Sequence, residues 1–154
     1  MRYLLFVCTC LLIMSCQKEA LQHDSDIELI KEYLAANSIN AIEDTESNLF
    51  YHIDSGCCDS IAPIRDNGII VEVKYKAYLL DGTVVYDTGN SSVKVELDES
   101  LFGWQLAMPK MSINDKMVLF LPSRLAYGTE GHDNIPPNSV LIFDIELIEV
   151  FPHF

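Results

Sequence analysis

Two periodicities divide the chain. Between Ser25 and Asn37 the apolar positions Ile27, Ile30 and Leu34 recur at helical spacing, and Ser25 with Glu28 has the form of a capping box. This predicts one amphipathic helix over about 25–37, either docked on the segment behind it or extending the segment before it. From Leu49 the period becomes two. LFYHID (49–54), IIVEVKYKAYLL (69–80), VKVEL (93–97), KMVLFL (116–121) and VLIFDIELIEV (140–150) each read as a strand. The clearest is 69–80, with Val71, Val73, Tyr75, Ala77 and Leu79 on one face and Glu72, Lys74 and Lys76 on the other. Asp81-Gly82 behind it is a hairpin-turn signal. LFGWQLAM (101–108) breaks the alternation, is stopped by Pro109, and predicts a single short helix. Five strands joined by loops, with one helix, predict an α+β domain over 47–154: an antiparallel sheet curled around that helix.

The loop AYGTEGHDNIPP (126–137) fits neither period. Its glycines and prolines suit a solvated connector, yet Tyr127 and Ile135 are residues a protein hides.

The N-terminus has another character. Arg2 precedes an apolar run from Tyr3 to Met14, too short for the roughly 20 residues that span a bilayer, so 1–15 reads as a secretion signal. Ile13-Met14-Ser15-Cys16 resembles the bacterial lipobox. That resemblance implies that Cys16 carries lipid and becomes the acylated N-terminus of a tether over 16–46, giving stable attachment to the membrane of the cell envelope. Gln17-Lys18-Glu19 lacks an aspartate next to the lipidated cysteine, which favours the outer membrane.

Charge and composition narrow the function classes. With 49% hydrophobic and 21% charged residues the chain is globular in composition, and its net charge is −13. Loss of Arg2 with the leader makes the remainder one charge more negative. Nothing in it can neutralise a run of phosphates, which argues against nucleic acid as a partner. Cys57 and Cys58 stand side by side, as two free thiols or as a strained vicinal disulfide. With no second cysteine pair, and with His23, His52, His132 and His153 scattered, neither a metal nor another cofactor is expected. There is no GxSxG elbow, HExxH or phosphate loop. What remains is a set of aromatic and aliphatic residues at strand and loop positions.

The order of those residues is informative. VKYKAYLLDG, VVYDTG and then LFGWQLAMPKMSINDKMVLFLPSRLAYGTEGHDNIPPNSVLIFDIELIEV resemble an FKBP-type peptidyl-prolyl cis–trans isomerase over residues 47–154, most closely from Gly103 onward. The resemblance implies a hydrophobic pocket floored by Trp104, walled by Tyr75 and Phe143, and closed by Tyr127 and Ile135. The Tyr127 hydroxyl and the Leu101 N–H would hold carbonyl groups of a bound proline segment, with Tyr75 and Asp87 as further catalytic residues and Tyr86 among the binding residues. It implies a monomeric enzyme acting on proline-containing segments of exported proteins, or a binding module for such segments that turns over slowly.

The departures from the family pattern sit around β-hairpin 81–100. One residue too many separates Gly82 from Tyr86-Asp87. Either the hairpin bulges and Tyr86-Asp87 keep their places, or Val85 takes the aromatic position and the aspartate is displaced. Val93 stands where a further wall aromatic is usual, Ala77 where a glycine is common, and the basic partner of the aspartate has no counterpart.

Overall fold

The computed structural model describes residues 21–54 and 68–151. Residues 21–36 form helix α1. Among the described residues seven strands follow: β1 (Ile42–Asp44), β2 (Leu49–Asp54), β3 (Ile70–Leu79), β4 (Val84–Asp87), β5 (Val93–Glu96), β6 (Lys116–Leu121) and β7 (Leu141–Phe151). Helix α2 (Phe102–Ala107) lies between β5 and β6, and Pro109 converts its end into a 3-10 turn over Met108–Lys110. The strands pair antiparallel in the order β1-β2-β6-β7-β3-β4, and β5 also pairs with β3. This is the α+β class expected.

The β3–β7 pair runs through the centre, registered from Ile70 opposite Phe151 to Leu79 opposite Leu141. The other edge of β3 is shared, Ile70–Val73 with β5 and Lys76–Tyr78 with β4. Alternation then gives each face of the sheet its own core. Met117, Leu119 and Leu121 of β6 join Leu141, Phe143, Ile145 and Leu147 of β7 in the main core with Trp104, Ala107 and Met108. Phe120 and Ile142, one residue out of phase, join Phe50 and Val140 against Ile30 and Leu34 of α1. The N-terminal helix is therefore docked on the face of the sheet opposite α2.

Several expectations are corrected. Residue 21 is already helical, so Ser25 lies inside α1 and the Ser25–Glu28 capping box does not begin it. The early turns bury polar residues, His23 and Asp26, which an apolar period cannot register. His23 Nε2 accepts from the Asn48 amide at 3.1 Å, and burial, then the nearby Arg124 charge, holds its pKa below the ordinary histidine value. Five strands become seven because β1 and β4 are too short to display alternation. The sheet also takes in Ile42–Asp44, ahead of residue 47. The leader over 1–15, Cys16, and the Cys57–Cys58 pair lie outside the described residues.

The docking of α1 is a packing statement that mutagenesis can weigh. Ile30 is fully buried, so Ile30→Ala should lower the unfolding free energy by about 2–5 kcal/mol in urea denaturation. A loss below about 0.5 kcal/mol, typical of a surface site, would mean that α1 is not seated.

Candidate functional site

The site begins where α2 lies close against β6. A Cβ at Gly103 would collide with the Leu121 side chain, so glycine permits the approach that carries Trp104 into the core. Trp104 is 4% exposed and meets two neighbours edge-on: Tyr75 of β3 at 4.9 Å between ring centroids and Phe143 of β7 at 5.5 Å, each at 80°. T-shaped contacts of this kind add to simple burial because ring edges and faces carry opposite partial charge. The indole N–H is buried and has no partner among the described residues. Leu101 precedes the first turn of α2, its carbonyl accepts from the N–H groups of Trp104 and Gln105, and its own N–H has no backbone acceptor among the described residues.

The β3–β4 hairpin adds the next wall. Asp81 Oδ1 accepts the Thr83 N–H at 2.8 Å, and Gly82 takes φ +86°, which a side chain would strain. Ala77 lies opposite Tyr86, but Tyr78 lies opposite Val84, so Val85 is the extra residue of a bulge. Opposite Ala77, Tyr86 falls on the cavity face and stacks on Tyr75 at 4.8 Å and 16°. The pleat then sends Asp87 to the other face, opposite Lys76. There its carboxylate lies 3.6 Å from Lys76 Nζ and accepts the Gly89 N–H at 2.7 Å. Asp87 does not line this cavity, and the expectation that it does is corrected; it borders a groove on the opposite side with Lys76 and Asp144.

Loop 126–137 closes the cavity and is held by its own backbone. A 3-10 turn, Ser123–Leu125, precedes it, and the Ser123 carbonyl accepts the N–H groups of both Ala126 and Gly128 at 2.9 Å. At the tip His132 and Ile135 exchange N–H···O bonds of 3.0 and 2.7 Å. Gly131, at φ +68°, sits so close that a Cβ would strike the Ile135 carbonyl oxygen. This folding stacks the Tyr127 ring on His132 at 4.8 Å and 10°, and packs Ile135 against the main core.

The result is a cavity of about 450 Å³ lined by Tyr75, Tyr86, Leu101, Trp104, Tyr127, Ile135 and Phe143, together with Ala77, Val85, Val95, Glu99, Ser100, His132, Asp133 and Asn134. Seven of the residues expected at the site meet here; Asp87 does not. The β5 wall is Val95 and not Val93, which packs on the core beside Val73. Val95 shares the parity of Val93 and could have been read from it. His132 had a signal too, lying three residues before Ile135 in the same loop.

Burial raises the pKa of the Tyr75 hydroxyl above the ordinary tyrosine value, reinforced by Tyr86. Burial also raises that of Tyr127, reinforced by the negative charge of Asp133. Both hydroxyls therefore stay protonated hydrogen-bond donors at neutral pH. Among the described residues no group of three His, Cys, Asp or Glu side chains converges as a metal site would require. The arrangement can enclose an apolar ring, offer hydroxyl and amide donors at its rim, and exclude water.

Known proteins resemble this chain in sequence and fold. The sequence profile of the FKBP-type peptidyl-prolyl cis-trans isomerase family matches residues 63–148, more than half of the chain. FkpA of Aeromonas hydrophila, an FKBP-type peptidyl-prolyl cis-trans isomerase, is 36% identical over 124 residues, covering 78% of this chain and 45% of that protein. FKBP14 of Pongo abelii is 34% identical over 90 residues, covering 54% and 43%. The chain thus spans less than half the length of these relatives. The crystal structure of FkpA from Escherichia coli superposes with a TM-score of 0.71 at 28% identity, covering 98% of this chain and 71% of that one. A peptidyl-prolyl cis-trans isomerase structure from Pseudomonas syringae pv. tomato superposes with a TM-score of 0.66 at 26% identity, covering 84% and 96%. On these matches, and on the Tyr75–Trp104–Phe143 cluster beneath the 126–137 loop, the chain belongs to the FKBP-type peptidyl-prolyl cis-trans isomerase family.

Proposed function

We propose that this chain is a monomeric isomerase of X-Pro peptide bonds in exported proteins, anchored in the cell envelope, at the outer membrane, by lipid on Cys16. The observation that carries the catalytic reading is the aromatic cavity, with Tyr75, Tyr86, Trp104 and Phe143 around one space and Tyr127 at its mouth. The anchor rests on the lipobox-like stretch at 13–16.

Rotation about a peptide bond has a barrier of about 18–20 kcal/mol because twisting destroys amide resonance. An uncatalysed X-Pro bond therefore isomerises over tens to hundreds of seconds. No covalent bond breaks, so no nucleophile is needed. The site has to bind the twisted amide more tightly than either planar form, by about 1.36 kcal/mol for each tenfold of rate. The twisted form has less charge separation across C–N than the planar amide. A dry aromatic cavity favours it over water, with the proline ring on Trp104. The Tyr127 hydroxyl and the Leu101 N–H orient the flanking carbonyls, and Tyr75 holds the wall aromatics together.

A second reading keeps the binding and drops the turnover: a module that holds proline-containing or unfolded segments. The observation in its favour is Asp87, turned away from the cavity by the bulge.

The two readings separate in a relaxation assay of cis-to-trans X-Pro peptides. On the isomerase reading the protein accelerates relaxation strongly, and Tyr127→Phe lowers kcat/KM about tenfold by removing one hydrogen bond. Asp87→Ala stays within about twofold of the parent, since its ion pair with Lys76 is exposed and of small energy. Uncatalysed rates from the folded protein would leave only the binding reading.

Alkaline pH gives an independent check on the buried tyrosines. Their folded-state pKa values lie above the unfolded value of about 10, so the folded chain retains protons that the unfolded chain releases. The stability this represents is whole below pH 10 and is lost as pH rises through the folded pKa values. Unfolding free energy measured in urea should be level from pH 8 to about 10 and fall above it, and Tyr75→Phe should flatten that fall.

Attachment has its own test. Fatty-acid labelling of the expressed chain should mark the protein and place it in the membrane fraction, and Cys16→Ala should abolish both. A labelled Cys16→Ala variant would remove the lipid from this reading.

A further inference from the structure

The docked helix buries a carboxylate as well as its apolar face. Asp26 of α1 is fully buried, and both carboxylate oxygens are occupied. Oδ1 accepts from the Gln22 amide at 2.8 Å. Oδ2 accepts from Ser123 twice, from its backbone N–H at 2.9 Å and from its hydroxyl at 2.5 Å. A helix that docks through Ile30 and Leu34 has no need of a buried carboxylate, which is costly to desolvate unless its partners are fixed. These partners are fixed, and two of the three belong to one residue.

Ser123 is the residue from which the closing loop hangs. Its carbonyl holds the N–H groups of Ala126 and Gly128, the two neighbours of Tyr127. A relay thus runs from the Asp26 carboxylate through Ser123 to the N–H groups of the residues on either side of the tyrosine. Without Asp26, Ser123 would keep a buried N–H and hydroxyl lacking acceptors, and the 3-10 turn would be held from outside chiefly by the burial of Leu125 in the main core.

We propose that Asp26 is a positioning residue for Tyr127, acting through Ser123, so that α1 sets the geometry of the closing loop. The assignment rests on the isomerase reading for its effect on rate, but not for its effect on the loop.

Two readouts test it in the whole chain. Amide hydrogen exchange reports the loop directly: Asp26→Ala should speed exchange at Ala126 and Gly128 by about tenfold or more relative to Leu119 in β6. In the X-Pro peptide assay, run well below the melting temperature, kcat/KM should fall about tenfold. Asp26→Asn retains an acceptor for Ser123, with the Gln22 amide free to turn, and should restore most of both. Ile30→Val loosens the apolar seat of α1 without touching the relay and should move neither readout. Unchanged exchange at Ala126 and Gly128 in Asp26→Ala, or an Ile30→Val effect equal to it, would overturn the proposal. If the parent protein does not accelerate isomerisation, the isomerase reading fails while the exchange comparison still decides the relay.

Discussion

In β6 and β7 successive side chains stand on opposite sides of the sheet, and the register of Phe120 opposite Ile142 and Leu119 opposite Phe143 keeps two apolar sets in step. One set supports Trp104 and the cavity; the other seats α1. A slip of one residue in either strand would exchange them, bringing Ile142 to the cavity and Phe143 beneath α1. Because both faces of this pair are buried, that slip is opposed twice. Most sheets carrying one helix have a solvated outer face and half this constraint. Here the outer face is apolar under α1 and turns polar beyond it, at Lys116 and Asp144.

The same parity rule shapes the cavity. The bulge at Val85 restores the phase between β3 and β4, so Tyr86 meets Tyr75 although the hairpin carries an extra residue. In a regular strand adjacent residues cannot share a face. Keeping the aromatic therefore moves the aspartate behind it to the opposite side, where it pairs with Lys76. The space is then lined by rings, aliphatic groups and the polar residues of the closing loop.

How much of this is legible in the sequence follows from where the period is visible. Strands β2 and β6 match their expected bounds to the residue, and β3 to within one, because each turns one unbroken apolar face to the main core. The first residues of α1 were hidden for the opposite reason: there the inward positions are His23 and Asp26, whose burial depends on partners 25 and 97 residues away in the chain. Trp104, Tyr75, Phe143, Tyr127 and Ile135 were readable as a cluster only through the order of the family's motifs, since each alone resembles an ordinary core residue. Asp87 went astray because motif spacing treats Tyr86-Asp87 as one unit, and a bulge upstream decides the side on which each half falls. The relay from Asp26 to Ser123 leaves no local pattern at all.

The edges of the sheet carry a different implication. Among the described residues the borders of the sheet are formed by β1, of three residues, and by β4 and β5, of four residues each, with β4 further distorted by its bulge. Long flat borders recruit extended chains through unpaired backbone groups and seed aggregation. On the isomerase reading proposed above, a protein that meets extended polypeptides would be exposed to such recruitment. On that reading, short and interrupted borders leave the aromatic cavity as the main place for a passing chain to bind.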